Sequence, residues 1–197
     1  LSQTYVGSNN MNLLEPVGQF GTRLQGGKDS SSPRYIFTHL SKNFKNMFNP
    51  DDYSLVNYLN DDGFSIEPSF YVPVLPLILI NGACGIGTGF STDIPCFNPE
   101  DLKDRLLKLV DDEDADIPEL TPWYKGFTGT IDKVEENRWV SRGVYKIVSN
   151  TVTITELPIG TWTEDYKSLL DKLETDEQIY SYKNMSSETA VHFEVKI

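Results

Sequence analysis

Arg34 and Tyr35 are the neighbouring residues of this chain best suited to covalent chemistry on a phosphate. A phenol can attack a phosphodiester when a base accepts its proton and cations stabilise the charge that develops. The guanidinium of Arg34 can contact two phosphate oxygens at once. Upstream, Arg23 and Lys28 can hold neighbouring phosphates. An ordinary surface tyrosine near a helix end fits the same spacing.

The segment that carries this pair has the periodicity of a helix. Ser32 is a suitable N-cap, and Pro33 suits the first helical position. At about 100° per residue, the apolar side chains that follow share one face: Ile36, Phe37, Leu40, Phe44, Met47 and Phe48. The spacing therefore predicts a helix over residues 33–48. Tyr35 is predicted on its polar side, where backbone N–H groups favour an anion, in line with His39, Lys42 and Asn46.

Two glycine-rich segments, residues 18–23 and 26–29, precede this predicted helix. Glycines let backbone N–H groups approach a sugar–phosphate backbone closely. The segments do not form a Walker P-loop, which requires a glycine where Thr22 stands and a Ser or Thr where Asp29 stands. A ligand-binding loop and a plain structural turn both remain open.

Ile86 lies between two further glycines, Gly85 and Gly87. An aliphatic side chain flanked by glycines can enter a minor groove and unstack a base step. A glycine-rich turn with one buried isoleucine is the alternative. The dinucleotide-binding pattern G-x-G-x-x-G is absent. Residues 72–80, which lead into this segment, are predicted to be extended and buried.

The composition is that of a globular chain with an uneven charge. It has 197 residues, of which 39% are hydrophobic, and a net charge of −12. Residues 1–50 carry net +3 and residues 51–197 carry net −15, so only the first part suits an anionic partner. Two cysteines exclude a disulfide framework, and no apolar run is long enough to span a bilayer. The acidic run at residues 111–119 is interpreted as a solvated loop.

The second part of the chain alternates helical and strand patterns. Helices are predicted at residues 99–110 and 161–173, after a turn-rich acidic connection at residues 51–68. Strands are predicted at residues 126–134, 138–148, 151–157 and 191–197, with Ser149 and Asn150 as a hairpin turn. This order predicts an α+β fold with a mostly antiparallel sheet.

These motifs, in their order along the chain, resemble those of the breakage–reunion region of the type IIA DNA topoisomerases, in their eukaryotic or viral form. The resemblance covers essentially the whole chain. The matching segments are residues 7–14, 18–23, 26–29, 33–37, 79–89, 122–123, 129–131, 155–158 and 161–163.

The resemblance implies a fold and roles for individual residues. Residues 1–70 correspond to the latter part of a winged-helix domain with the catalytic tyrosine, and residues 71–197 to most of a tower domain. Tyr35 corresponds to the nucleophile that forms a 5′-phosphotyrosyl link, and Arg34 to the arginine that assists it. Ile86 corresponds to the residue that wedges between base pairs. Arg23 and Lys28 are predicted to contact DNA.

The resemblance also implies the partners and cofactors of a complete enzyme. That enzyme is an ATP-hydrolysing type II topoisomerase that acts on double-stranded DNA as a homodimer. No membrane is expected among its partners. The enzyme requires Mg²⁺ and ATP, and neither site is expected on this chain, so the fragment alone is predicted to be inactive. The expected location is intracellular: the nucleus for a eukaryotic source, and the host nucleus or cytoplasm for a viral one.

The acidity and short connecting loops of the second domain suggest a divergent member of the family. Three positions also depart from the family pattern: Cys84 replaces the usual Glu, Phe90 a frequent Trp, and Gly160 the usual Arg. The last is expected to weaken a contact between the second domain and DNA. Two other functions stay open. One is a non-catalytic DNA-bending or docking module, and the other is an acidic protein-interaction domain.

Overall fold

The computed structural model describes residues 1–197 and contains twelve β-strands and four α-helices. The strands are β1 (Leu14–Val17), β2 (Phe37–Leu40), β3 (Tyr58–Asp61), β4 (Phe64–Pro68), β5 (Ala83–Gly87), β6 (Phe90–Ile94), β7 (Thr130–Glu135), β8 (Arg138–Arg142), β9 (Val144–Val148), β10 (Thr151–Glu156), β11 (Ser181–Asn184) and β12 (Phe193–Lys196). The helices are α1 (Lys42–Met47), α2 (Leu77–Ile80), α3 (Pro99–Asp111) and α4 (Thr163–Thr175). Two 3-10 turns cover Pro33–Tyr35 and Pro50–Ser54.

All strand pairs are antiparallel. The largest sheet has four strands in the order β11-β12-β10-β9, and four further sheets have two strands each. The prediction of an α+β fold with mostly antiparallel pairing is confirmed.

The predicted helix over residues 33–48 is wrong. The chain makes one 3-10 turn at Pro33–Tyr35, becomes extended at Ile36 and continues as β2. Strand β2 pairs with β1, which lies further upstream in the chain. Hydrogen bonds between these two strands therefore replace the local hydrogen bonds of a helix. Phe37 and Leu40, predicted to face the core, are exposed. Only Lys42–Met47 is helical.

Residues 51–80 also differ from the prediction. The turn-rich connection contains a hairpin, β3–β4, whose turn at Asp62 and Gly63 has positive φ at both residues. The segment that follows is not a buried strand, because Val72 and Val74 are exposed. It ends in the single helical turn α2, in which Ile80 is fully buried.

Most predicted elements of the second part are present, but the strand predicted at 126–134 begins at Thr130, and strand β11 is absent from the prediction. Helices α3 and α4 lie within two residues of their predicted bounds. Ser149 and Asn150 form the predicted turn between β9 and β10, with Ser149 at positive φ. The predicted strand at 138–148 is divided at Gly143, where a Cβ atom would collide with the carbonyl oxygen of Glu156.

Two hydrophobic clusters stabilise the chain. One joins α4 to the four-stranded sheet through six buried residues: Ile154, Leu157, Leu170, Val191, Phe193 and Val195. The other contains Leu13, Met47 and Phe48 together with Ile80 and Leu102. The second cluster therefore packs residues from both sides of the domain boundary predicted at 70/71. The winged-helix and tower assignments stay predictions.

Candidate functional site

Tyr35 is the last residue of the 3-10 turn Pro33–Tyr35 and is 68% exposed. Its backbone N–H donates to the carbonyl of Ser32 over 2.9 Å, and the extended residue Ile36 follows. Its exposure agrees with the predicted polar position. The predicted helix start does not exist, so no helical N–H groups are available beside Tyr35 to bind an anion. The predicted row of cationic neighbours is also lost, because His39 lies in β2, where its Nε2 is 3.0 Å from Glu15 Oε2.

Arg34 shares this surface with Tyr35. Its guanidinium carbon lies 5.5 Å from the centre of the Tyr35 ring, within the range of a cation–π contact. Arg34 is exposed and makes no ion pair within the chain. The structure therefore brings these two predicted residues together and leaves the guanidinium free to contact an anion.

The glycine-rich loop upstream, residues 18–29, is an ordered structure closed on itself. The Asp29 carboxylate accepts hydrogen bonds from the backbone N–H of Thr22 (2.8 Å) and from the Thr22 hydroxyl. Burial alone would raise the pKa of Asp29, but the hydrogen bonds from Thr22 and from its own backbone N–H together hold that pKa below its usual value. Gly21 has φ +97°, and a Cβ atom there would collide with the backbone of Gly27.

Lys28 projects from this loop and is exposed. Its ammonium group forms no ion pair with any carboxylate of the chain. An exposed cation without an ion-pair partner is suited to a phosphate contact.

Arg23 does not fit the predicted phosphate contact. It is 5% exposed, and its Nη2 donates to Glu156 Oε1 and, over 3.2 Å, to the carbonyl of Leu157. A buried guanidinium that is already paired is not available to an external phosphate. No local signal around Arg23 indicates this pairing, because Glu156 lies 133 residues further along the chain.

Ile86 is 93% exposed on the hairpin of β5 and β6. This exposure rules out the alternative of a buried isoleucine, and Ile86 lies in a strand instead of a turn. Gly85 and Gly87 lie within strand β5, and the chain reverses at Thr88 and Gly89. A Cβ atom at Gly85 would meet nothing within 4 Å, so the space beside the isoleucine is open.

Phe90, on the other strand of this hairpin, is 84% exposed and is not among the predicted site residues. Ile86 opposes Ser91, whereas Phe90 opposes Gly87, so the two apolar side chains occupy opposite faces of the hairpin. Cys84, which also departs from the family pattern, is exposed on the Ile86 face. Gly160 has φ +82° and open space around it.

The structure contains no group of three or more His, Cys, Asp and Glu side chains placed to hold a metal ion. The residues present therefore do not fit a magnesium site. None of the helices has the length and apolar character needed to cross a membrane.

Comparison with known proteins decides the family. The family model for the A-type subunits of DNA gyrase and topoisomerase IV matches residues 1–197. The chain belongs to this DNA gyrase/topoisomerase IV family. The match confirms the resemblance to the type IIA DNA topoisomerases that the motifs indicated.

Relatives of this topoisomerase chain come from distant eukaryotes. It is 47% identical over 195 residues to the mitochondrial DNA topoisomerase 2 of Dictyostelium discoideum, covering 99% of this chain and 15% of the relative. It is 46% identical over 201 residues to DNA topoisomerase 2 of Plasmodium falciparum, covering 100% and 14%. For mouse DNA topoisomerase 2-alpha the identity is 46% over 204 residues, covering 100% and 13%.

A solved structure agrees with these matches. The DNA-binding, cleavage and re-ligation domain of Plasmodium falciparum topoisomerase II superposes on this topoisomerase chain with a TM-score of 0.92 and 46% identity. The match covers 100% of this chain and 27% of the solved one. The chain thus spans about a seventh of the length of the curated relatives that it matches, and it has the fold of part of a cleavage domain.

Proposed function

We propose that this chain is the part of an ATP-dependent type II DNA topoisomerase that carries the nucleophile for double-strand cleavage and religation. The observation that carries the proposal is the exposed pair of Arg34 and Tyr35, with the guanidinium carbon 5.5 Å from the ring centre, on a chain similar to a solved cleavage domain. A buried tyrosine, or an arginine already paired with a carboxylate, would have opposed it.

In the proposed reaction the Tyr35 hydroxyl oxygen attacks a DNA phosphorus atom. The phenol proton passes to a base, an O–P bond forms, and the bond from phosphorus to the 3′ oxygen of the adjacent nucleotide breaks. The leaving oxygen takes up a proton and becomes a 3′-hydroxyl, while the 5′-phosphate stays on the tyrosine. Attack by that 3′-hydroxyl reverses the step and reseals the strand.

Arg34 and Lys28 have separate roles in this proposal. Arg34 stabilises the negative charge that develops on the phosphate oxygens next to Tyr35. Lys28 contacts a neighbouring phosphate and so sets the position of the duplex. Ile86 enters a base step from the minor groove and bends the duplex, as its exposure between two glycines allows.

The remaining requirements belong to the complete protein. Mg²⁺ and ATP sites, a second copy of the chain and the duplex to be transported are expected from the family. Residues 1–70 then form part of a winged-helix domain, and residues 71–197 form most of a tower domain. The protein is expected to act inside the cell, where its DNA substrate lies.

Trapping of the covalent intermediate tests this function. The complete protein is incubated with end-labelled duplex DNA and Mg²⁺ and then denatured, and protein-linked DNA is measured. Tyr35→Phe should abolish the adduct and keep DNA binding, because it removes only the attacking oxygen. Tyr180→Phe, at another exposed tyrosine, is the matched control and should keep the adduct. An adduct with Tyr35→Phe would refute the assignment, whereas DNA bending with no adduct in the parent protein would indicate a docking module.

A further inference from the structure

The loop that leads to the nucleophile is held by residues from the far end of the chain. The backbone N–H of Glu164, in the first turn of α4, donates to the carbonyl of Leu24 over 3.0 Å. The indole ring of Trp162 packs so closely on Gly26 that a Cβ atom there would overlap it. The loop at residues 18–29 therefore fits against the segment at residues 156–164.

Glu156 lies at the centre of this contact and is 4% exposed. Its Oε1 accepts from the Arg23 guanidinium and from the backbone N–H of Leu157 (2.9 Å). Its Oε2 accepts from the backbone N–H and the hydroxyl of Thr128, at 3.2 and 3.1 Å. Both carboxylate oxygens are thus satisfied, and the charge is paired with a buried cation.

The contacts continue from the loop to Tyr35. The carboxylate of Asp29 closes the loop on Thr22, the residue next to Arg23. The N–H of Ser31 donates to the carbonyl of Gln19 over 3.0 Å. Gly18 lies against the backbone of Tyr35, since a Cβ atom there would be 3.3 Å from the Tyr35 carbonyl oxygen. A continuous set of contacts therefore joins Glu156 to the backbone of the nucleophile.

We propose that Glu156 is a positioning residue for Tyr35: through Arg23 it fixes the loop at residues 18–29, and thereby the backbone of the nucleophile, to the four-stranded sheet. This inference rests on the proposed function, in which Tyr35 attacks DNA. A buried ion pair contributes little net stability compared with apolar side chains of the same size. In this proposal the directional hydrogen bonds of the pair instead fix one geometry of the loop.

The test measures DNA binding and covalent cleavage separately in the complete enzyme. Glu156→Gln keeps the size of the side chain but removes the charge that Arg23 requires. Single-turnover formation of the covalent adduct should slow by about 10²-fold, the scale expected when a reacting group is displaced by about 1 Å. The dissociation constant for DNA should not change. Glu194→Gln is the control, because Glu194 is a more exposed acid on β12 of the same sheet.

A second variant controls for unfolding caused by a buried arginine that has lost its partner. Arg23→Met combined with Glu156→Gln removes both buried charges, and it should fold and still cleave slowly. Thermal melting of each variant gives the folded fraction at the assay temperature. A cleavage rate equal to that of the parent, or one lowered only in proportion to the folded fraction, overturns the proposal.

Amide hydrogen exchange tests the positioning without any chemistry. Exchange at the N–H groups of Ser31 and Tyr35 should accelerate in both variants and stay unchanged in Glu194→Gln. Unchanged exchange in the folded variants overturns the positioning role even if the complete protein cleaves DNA. If the parent forms no adduct but exchange accelerates, the proposed function fails while the structural connection from Glu156 to Tyr35 stands.

Discussion

The guanidinium of Arg34 lies beside the ring of Tyr35, 5.5 Å from its centre, and no carboxylate of the chain neutralises it. A cation and a phenol are therefore presented together on one exposed turn. In the proposed reaction this cation stabilises the negative charge that develops on a phosphate attacked by the phenol.

Arg34→Ala should slow cleavage more than it weakens binding. If Arg34 acts like one preorganised donor, the loss is about 10²–10³-fold in the rate of adduct formation at saturating DNA. Rapid-quench measurement of the adduct checks this rate. Arg138→Ala, at an exposed arginine on β8, is the control and should leave the rate unchanged. Equal rates for Arg34→Ala and the parent would contradict the role.

Lys28→Gln should reduce the salt dependence of DNA binding. Each phosphate contact contributes about 0.9 to the slope of log K against log salt concentration, so the slope should fall by about that amount. Titration of a labelled duplex at several salt concentrations measures it. Lys103→Gln removes an equal charge from a lysine already paired with Glu100, and it should have a smaller effect. An unchanged slope in Lys28→Gln would show that this lysine does not contact phosphate.

Ile86→Ala should reduce DNA bending before it reduces binding. Unstacking a base step costs a few kcal/mol, and a methyl group is too short to fill the opened step. Energy transfer between dyes at the two ends of a short duplex reports the bend in the complete protein. Val110→Ala is the control, since Val110 is an exposed aliphatic residue on α3. Full bending by Ile86→Ala would refute the wedge.

Gly26→Ala should destabilise the chain more than Gly63→Ala does. Both glycines have positive φ, so both substitutions carry the same type of backbone strain, about 1–2 kcal/mol. Only the methyl group at position 26 collides with Trp162, whereas nothing lies within 4 Å at position 63. Such overpacking adds about 1–3 kcal/mol. Melting temperatures of the two variants check the difference, and equal melting temperatures would contradict the contact.

The two cysteines should differ in reactivity toward a thiol reagent. Burial raises the pKa of Cys96 to about 11, so at pH 8 it is almost entirely the unreactive thiol and is also shielded. Cys84 is exposed on β5. At pH 8 a colorimetric thiol assay on the folded chain should find one fast thiol, and Cys84→Ser should remove it. Two equally fast thiols would show that the environment of Cys96 is more open.

Local signals made some elements predictable. Helix α3 begins where Asn98 accepts a hydrogen bond from the N–H of Glu100 over 3.0 Å and Pro99 takes the first position, as its sequence indicates. Strand β2 could not be predicted locally, because its apolar spacing also fits a helical face. The pairing with β1 that decides between the two lies outside any local window.

In the candidate site, too, local features could be predicted and long-range contacts could not. The exposure of Tyr35 was predicted correctly although the helix invoked for it does not exist. The role of Arg23 was not predictable, because a basic residue in a glycine-rich loop is typical of a phosphate site. Only the folded chain brings Glu156 to it from 133 residues away. The fold topology determines which distant charges pair, so their spacing in the sequence does not predict the pairing.

The hairpin of β5 and β6 pairs with no other strand of the chain. Its outer side chains are exposed on both faces, and an isolated two-stranded ribbon is only marginally stable in water. In the proposed bending step, the end that carries Ile86 loses conformational entropy when the side chain becomes fixed in a base step. This ordering consumes part of the free energy of binding, so a hairpin with a stiffer turn at Thr88 and Gly89 would hold the same duplex more tightly.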